Sequence, residues 1–281
     1  ITLPWTLSPG SPLYYNNQVT DQMRKGPAAV LGGLFGYDTL GRSILGRCLL
    51  GGAVSLGVGF AAALIAVVVG TTVGLVSGYA GGWVDALLMR IVDVLYGLPY
   101  ILLVILLKIA LEGRLERQIE LWQGGRYFSS AQASNLIVMF LSIGLVSWLT
   151  MARVVRGQVL SLREMPFIEA GRALGLPQNR IFTRHVLPNL VGPITVYATL
   201  TVPGAVLQES FLSFLGVGVR LPLPTWGTLA SEGVAALSPV KFYWWMLLFP
   251  CLLLMTTLLS LNFVGDGLRD LLDPKKDTAK L

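Results

Sequence analysis

The longest stretch without a charged side chain is residues 48–84, CLLGGAVSLGVGFAAALIAVVVGTTVGLVSGYAGGWV. A helix that crosses a membrane needs about 20 mostly apolar residues, so this stretch is more than long enough. Gly70, Gly74 and Gly78 recur at intervals of four and therefore share one helix face. Small residues at this spacing let the backbone of a neighbouring helix approach closely. The stretch therefore predicts a membrane helix with these glycines on a packing face.

Composition supports a membrane protein. Apolar residues make up 54% of the 281 and charged residues only 13%, with a mean hydropathy of +0.68, whereas soluble domains contain about 25% charged residues. This composition excludes a soluble globular protein and a disordered chain. The net charge of +6 is explained by basic loops that face lipid or a cytoplasmic partner, so no nucleic acid is expected as a partner.

Further apolar runs predict an all-α membrane protein with five spans, at residues 53–78, 87–110, 133–152, 190–214 and 242–264. Proline is expected to kink the second span at Pro99 and to break the fourth at Pro203-Gly204. Residues 111–126 predict an amphipathic helix at the membrane interface, and the role of the loop at 111–132 stays open.

The termini predict how the chain is divided. The apolar residues Ile1 to Leu7 resemble the end of a further span, so we expect six spans in the intact protein. Residues 1–47 then form an extracytoplasmic segment after that missing or truncated span. Residues 48–274 form the transmembrane domain, and 275–281 form a cytoplasmic tail.

One loop, at residues 153–188, concentrates positive charge, with six arginines against two glutamates. Pro166 suits the first position of a short helix and Gly175 the position just after its end. Pro177 can open a second short helix, which is expected to end before Pro188. Positive-inside counting places this loop in the cytoplasm only weakly, because about 11 basic residues lie on its side of the membrane and about 10 on the other.

Ionisable residues near the membrane are candidates for the translocation pathway or its gate. Asp93 lies three residues after Arg90, so the two are expected to pair on one helix face. Glu209 follows the Pro203-Gly204 break and either faces the pathway or braces a neighbouring helix. The set of pathway candidates is Asp93, Tyr96, Pro99 and Glu209.

The sequence contains no pattern for catalysis in this chain. His185 is the only histidine, which excludes a zinc site with several histidines and disfavours a membrane enzyme. Cys48 and Cys251 have no metal-binding spacing, so no metal site and no catalytic residue is expected. The glycine spacing of residues 41–46 lacks the Lys and Ser/Thr of a phosphate-binding loop, so no nucleotide site is expected either.

The stretch Glu169-Ala170-Gly171-Arg172-Ala173-Leu174-Gly175, followed after nine residues by His185-Val186-Leu187-Pro188, resembles the EAA signature of ABC importer permeases. Two positions depart from the signature: Gly171 replaces its second alanine and His185 replaces an isoleucine. Further matches at residues 37–43, 78–85, 155–163, 212–218, 224–227 and 265–274 make the chain similar to the C-type permease subunit of dipeptide, oligopeptide and nickel importers.

This resemblance implies the type I ABC importer transmembrane fold, with residues 153–188 as the loop that docks on a cytoplasmic ATPase. It implies coupling roles for Glu169, Ala170, Gly171, Arg172, Gly175, His185, Leu187 and Pro188. The small residues would let the partner surface approach, and Glu169 would pair with an arginine of the loop or of the partner.

The resemblance also implies the partners. They are a second homologous permease, two ATP-binding cassette subunits that bind ATP and Mg, an extracytoplasmic substrate-binding protein and the lipid bilayer of a bacterial inner membrane. This chain itself would bind no cofactor and hydrolyse nothing. The implied substrates are di- or oligopeptides, with nickel complexes or other small solutes as the alternative. An ATP-independent channel or secondary transporter is the distant alternative.

Overall fold

The structure is a computed structural model that describes residues 3–120, 130–239 and 241–272. Within these residues the chain is mainly helical. The helices are α1 (Leu3–Leu7), α2 (Ile44–Ala80), α3 (Gly82–Tyr96), α4 (Tyr100–Glu120), α5 (Ser130–Arg163), α6 (Pro166–Ala173), α7 (Gln178–Ile181), α8 (Leu187–Phe214), α9 (Trp226–Ala235) and α10 (Trp244–Leu272). A π-helical turn, Phe182–Val186, joins α7 to α8.

Four of these elements are long and apolar enough to cross a membrane: Ile44–Ala80, Ala131–Arg163, Phe182–Phe214 and Trp244–Leu271. They confirm the predicted first, third, fourth and fifth spans. The second predicted span consists of α3 and α4, which are bent by 96° at a short break. Five spans result when this bent pair is taken as one.

The break between α3 and α4 contains Pro99, where a kink was expected. α3 ends at Tyr96, and the Gly97 N–H closes it by donating to the Asp93 and Leu95 carbonyls. Because a proline disfavours helical geometry in the residue before it, Leu98 cannot continue the helix. The result is a sharp turn of the chain rather than a modest kink.

The predicted break at Pro203-Gly204 is wrong, because α8 continues through Pro203 to Phe214. Membrane helices tolerate prolines because neighbouring groups and local adjustments can satisfy the freed backbone. Pro203 removes one hydrogen bond, the one to the Thr199 carbonyl, from a helix of 28 residues, and α8 continues on both sides of it.

Two further expectations concern chain segments at the edge of the described residues. Residues 111–120 continue α4 rather than starting a separate amphipathic helix. Residues 121–126 of that predicted helix and the predicted tail at 275–281 lie outside the described residues.

The chain divides into two compact units. The first comprises the described parts of Ile1–Phe60, Ile105–Ser142 and Gly204–Ser260, and the second those of Ala61–Val104, Ile143–Pro203 and Leu261–Leu281.

In the second unit the glycine face of α2 lies directly against α5. A Cβ added at Gly70 would come within 2.5 Å of the Met151 Cβ. At Gly74 it would come within 2.6 Å of the Ala152 carbonyl oxygen, and at Gly78 within 2.8 Å of the Val159 Cβ. Larger side chains would therefore force the helices apart at all three glycines.

In the first unit a buried ion network joins the loop before α2, the start of α2 and α9. Arg47 is 0% exposed and binds two carboxylates, with Nη1 2.8 Å from Asp38 Oδ2 and Nη2 2.8 Å from Glu232 Oε1. Arg42 binds the same pair, at 2.6 Å from Asp38 and 3.5 Å from Glu232. Two arginines and two acids thus neutralise one another, as buried charges require.

Lys108 is a third buried cation of this unit. Its Nζ donates to the Val217 carbonyl and, at 2.7 Å, to the Gly218 carbonyl, just beyond the end of α8. A buried ammonium needs such acceptors in place of the water it has lost. Lys108 therefore stabilises the turn after α8.

Candidate functional site in the arginine-rich loop

The loop between α5 and α8 contains the two short helices that the sequence predicts. α6 begins at Pro166 and carries Glu169 in its first turn, where a carboxylate suits the helix dipole. Gly175 closes the helix with φ of +73°, a conformation that glycine adopts without strain. Its N–H donates to Arg172 and the Leu176 N–H to Gly171, which together form a Schellman motif.

The second short helix does not end before Pro188, so that expectation is wrong. α7 continues through the π-helical turn into α8, and Pro188 is the second residue of α8. In the π-helical turn the Leu187 N–H reaches back five residues to the Phe182 carbonyl. This wider turn changes the backbone pairing where the proline has no N–H to donate, so the helix passes through.

Gly171 faces the interior of the loop. It is buried with Ile168, and a Cβ added to it would lie 3.5 Å from Leu176 Cδ1 and 3.8 Å from Ile181 Cγ1. Gly171 was expected to let a partner surface approach, and this expectation is wrong. The missing side chain instead allows α6 to approach the second half of the loop. An alanine fits at these distances, but a larger side chain does not.

The outer face of α6 is open. Glu169, Ala170 and Arg172 are exposed, and among the described residues Glu169 forms no ion pair. Leu174 is 80% exposed at the end of the helix, and Phe167 is also exposed. Neither apolar residue was predicted to be a surface group, although the position of Leu174 next to the helix-ending Gly175 was a signal.

Of the predicted residues at the end of the signature, His185 lies beside α6, and Leu187 and Pro188 lie at the start of α8. His185 is half-buried, its ring 6.4 Å from that of Phe167, and its carbonyl accepts from the Asn189 side chain at 2.6 Å. Leu187 and Pro188 are exposed at the start of α8.

Contacts with the end of α2 hold the loop in place. The Tyr79 hydroxyl lies 2.8 Å from both the backbone and side-chain oxygens of Gln178, and its ring packs edge-on against Phe182 at 4.9 Å. Arg163 donates to the last carbonyls of α2, at 2.8 Å from Gly78 and 3.3 Å from Tyr79. The loop and the end of α2 therefore form one connected structure.

Two ion pairs hold α3 against α5. Arg156 binds Asp85 with two hydrogen bonds of 2.5 and 2.6 Å, and the Ser77 hydroxyl also donates to Asp85. Eight residues further along α3, Asp93 binds Arg153 at 2.7 Å. The Arg153 guanidinium also lies over the Tyr96 ring, 4.1 Å from its centre.

These contacts determine which groups surround the residues predicted to line the pathway. Asp93 and Tyr96 come together on Arg153, and the expected pair of Asp93 with Arg90 is replaced by this contact. The reason is tertiary, because α5 presents a planar guanidinium that meets the carboxylate and the ring together. Pro99 lies at the break beyond them, whereas Glu209 belongs to the other unit.

Glu209 is fully buried in the first unit. Its carboxylate accepts from the hydroxyls of Ser55 at 2.7 Å, Ser213 at 2.6 Å and Ser210 at 3.4 Å. The Ser55 hydroxyl also accepts from the backbone N–H of Trp226 at 3.4 Å. Glu209 thus joins α8 to α2 and to the start of α9, which is the bracing arrangement.

Replacing Glu209 with glutamine is expected to lower thermal stability. One carboxylate oxygen that accepts from a hydroxyl becomes an amide donor, and a buried hydroxyl without an acceptor costs about 1–3 kcal/mol. The melting temperature of the purified complex and the uptake per folded complex are the measurements. Unchanged melting with lost uptake would contradict bracing and favour the pathway role.

Comparisons with known proteins agree on one family. Residues 70–278 match the family described as binding-protein-dependent transport system inner membrane component. The chain is 45% identical over 267 residues to the oligopeptide transport system permease protein OppC of Escherichia coli, covering 93% of this chain and 78% of that protein. It is 41% identical over 278 residues to OppC of Haemophilus influenzae, covering 97% and 78%.

Two further similarities are more limited. The dipeptide transport system permease protein DppC of Bacillus subtilis is 40% identical over 141 residues, which is 50% of this chain and 43% of that protein. A solved chain of the MetNI methionine ABC transporter, in an inward-facing conformation, superposes with a TM-score of 0.60 over 82% of this chain and 98% of that one. Its sequence is 18% identical, so the likeness concerns the fold, which is that of type I importers.

Proposed function

Because the chain belongs to the family of binding-protein-dependent transport system inner membrane components, we propose that it moves di- or oligopeptides through a bacterial inner membrane. It is a multi-pass permease subunit of an ABC importer. The support for peptide cargo is the identity of 41–45% to two oligopeptide permeases over more than nine-tenths of this chain.

In the proposed assembly this chain supplies half of the pathway and a second homologous permease supplies the other half. Two cytoplasmic subunits bind ATP and Mg, and an extracytoplasmic binding protein delivers the peptide. This chain contributes no step of ATP hydrolysis and binds no cofactor.

The observation that carries the coupling role is the two-sided character of α6. Its inner face is buried through Ile168 and Gly171, and its outer face is free through Glu169, Ala170 and Leu174. An ATPase groove that accepts the outer face can therefore push α6 without unpacking the loop.

Contacts between the loop and the long helices can transmit a displacement of α6 to the spans. Tyr79 and Arg163 tie the loop to the end of α2, and the Asp85–Arg156 pair ties the start of α3 to α5. Charge-assisted bonds of this kind are short and directional. Displacement of the loop is then expected to move α2 and α3 with it.

The test is transport by the reconstituted importer. Proteoliposomes that contain this chain, its partner permease, both ATPase subunits and the cognate binding protein are supplied with ATP and a labelled tripeptide. Uptake that depends on ATP and on the binding protein supports the proposal. If the importer takes up a nickel complex but no peptide, the peptide assignment is wrong and the chain is a permease for a small solute.

Replacing Glu169 with lysine is expected to lower ATP-driven peptide uptake about tenfold, because the open face of α6 then carries the wrong charge for its partner. A tenfold effect corresponds to about 1.4 kcal/mol. Peptide uptake and ATP hydrolysis are measured on the same proteoliposomes, and hydrolysis is expected to persist without the matching uptake.

Glu164→Lys is the matched control, since Glu164 is also exposed but lies before α6. It introduces the same charge change and is expected to leave coupling intact. Equal losses in both variants would refute a specific role for Glu169.

A further inference from the structure

Three arginines of the first unit form ion pairs with carboxylates. Arg42 and Arg47 bind Asp38 and Glu232, and Arg220 binds Glu112 at 3.0 Å. In contrast, neither Arg24 nor Lys241 forms an ion pair with a carboxylate of the described residues.

Arg24 and Lys241 line the same cavity, although they are far apart in the chain. The cavity has a volume of about 400 Å³. Its other lining residues are Thr39, Glu232, Ala235, Ala236, Ser238 and Tyr243. Two cations that form no ion pair within the described part of the chain thus line one cavity, which is large enough for a phosphate group.

The backbone of Arg24 is held in an uncommon conformation. Its φ is +58°, the left-handed region that residues other than glycine seldom occupy. Its N–H donates to the Asp38 carbonyl at 2.9 Å, and the Tyr37 N–H donates to the Lys25 carbonyl at 2.9 Å. These backbone hydrogen bonds fix the position of the Arg24 Cα. The Arg24 guanidinium lies 5.5 Å from the centre of the Tyr243 ring.

Glu232 is the one acidic residue in the lining, but its charge is already compensated. Arg47 donates to both of its carboxylate oxygens, and Arg42 lies 3.5 Å from it. With Asp38 the network has no net charge. Arg24 and Lys241 therefore leave the cavity positive.

The cavity lies at the start of α10, where aromatic residues are concentrated. Tyr243, Trp244 and Trp245 are consecutive, and Phe242 and Trp244 are exposed. Aromatic side chains of this kind are enriched at the membrane–water interface. The apolar run of α10 begins directly after the cavity. This places the cavity at the level of the lipid headgroups.

We propose that this cavity binds the phosphate of an anionic phospholipid such as phosphatidylglycerol. Arg24 and Lys241 bind the phosphate oxygens, since charge-assisted hydrogen bonds to phosphate are among the stronger polar contacts. Phe242 and Trp244 lie beside the glycerol and the upper acyl chains. The site would give the importer a preference for anionic lipid at the start of α10.

The test uses the assembled, detergent-purified importer and native mass spectrometry. The complex is equilibrated with mixed micelles that contain equal amounts of phosphatidylglycerol and phosphatidylcholine, and retained lipid is counted for each headgroup. Removing a cation near anionic lipid weakens binding about fivefold. Arg24→Gln and Lys241→Gln are each expected to lower phosphatidylglycerol retention about fivefold while phosphatidylcholine retention stays unchanged.

Controls separate the charge from the fold. Arg24→Lys keeps the cation and is expected to retain the lipid, whereas Arg24→Gly removes it and suits the positive φ, so it is expected to lose the lipid without misfolding. Arg117→Gln removes an exposed charge of α4 outside the cavity and is the matched control.

Three results would overturn the proposal. The first is equal phosphatidylglycerol retention in the wild type and Arg24→Gly. The second is displacement of the lipid by soluble glycerol phosphate alone, which would make this a site for free phosphate. The third is unchanged lipid retention with weakened docking of the binding protein, which would make Arg24 and Lys241 a protein contact.

Discussion

Arg47→Met is expected to destabilise the protein by about 3–5 kcal/mol, because it leaves buried carboxylates without their main partner. Arg47 is 0% exposed and binds Asp38 and Glu232 together. Methionine can replace the aliphatic part of the arginine side chain but carries no charge, so Arg42 alone would face two acids. The melting temperature of the purified complex and its yield from membranes are the measurements.

Arg220→Met is the matched control for this prediction. Arg220 also forms an ion pair, 3.0 Å from Glu112, but its side chain is 51% exposed. Pairs exposed to solvent contribute about 0–1 kcal/mol. A melting temperature lowered equally by both substitutions would contradict the role assigned to burial.

A compensating variant tests whether charge balance is the cause. In Arg47→Met combined with Glu232→Gln, the remaining pair of Asp38 and Arg42 at 2.6 Å is neutral again. Part of the lost stability is expected to return. A double variant that is less stable than Arg47→Met would show that lost packing, not unpaired charge, causes the effect.

Gly171→Leu is expected to abolish ATP-driven uptake. Its side chain would extend into Leu176 and Ile181, which already lie 3.5 and 3.8 Å from the position of a Cβ. Overpacking of this kind costs about 1–3 kcal/mol and is relieved by moving the packed elements apart. α6 would shift outward relative to α7, and the push from the ATPase would no longer reach the spans in register.

Gly171→Ala is the control that separates the effect of side-chain size from the effect of replacing the glycine. Its Cβ would lie at ordinary contact distance, so uptake is expected to remain near wild type. Peptide uptake and ATP hydrolysis are measured together, so that uncoupling appears as hydrolysis without transport. Full, coupled transport by Gly171→Leu would contradict the inward orientation of Gly171.

Local signals in the sequence predicted much of the fold. Charge-free runs give the spans because a charge in the hydrocarbon core is costly wherever the chain folds. Pro166 and Gly175 delimit α6 because fixed φ and positive φ are properties of single residues. The spacing of the signature likewise places Glu169 on the first turn of α6.

The errors have two kinds of cause. Pro203 was expected to break α8 and Pro188 to end the helix before it, but α8 continues through Pro203, and a π-helical turn leads into α8 at Pro188. Asp93 was expected to pair with Arg90, three residues away, but Arg153 of another helix reaches it. The two proline errors follow from treating proline as the end of a helix, although a long membrane helix can accommodate one. The pairing error follows from a local preference that a contact distant in sequence replaces.

Sequence alone was enough to predict that this chain spans a membrane, that an arginine-rich loop interrupts the spans, and which family it resembles. These properties depend on hydropathy and on short motifs, which act through neighbouring residues. The inward orientation of Gly171, the exposure of Leu174, the hydrogen bonds from Glu209 to serines of α2 and α8, and the buried network around Arg47 became visible only in the folded chain. Those outcomes depend on which distant side chains meet, because a buried polar group must find its partner wherever the fold supplies one.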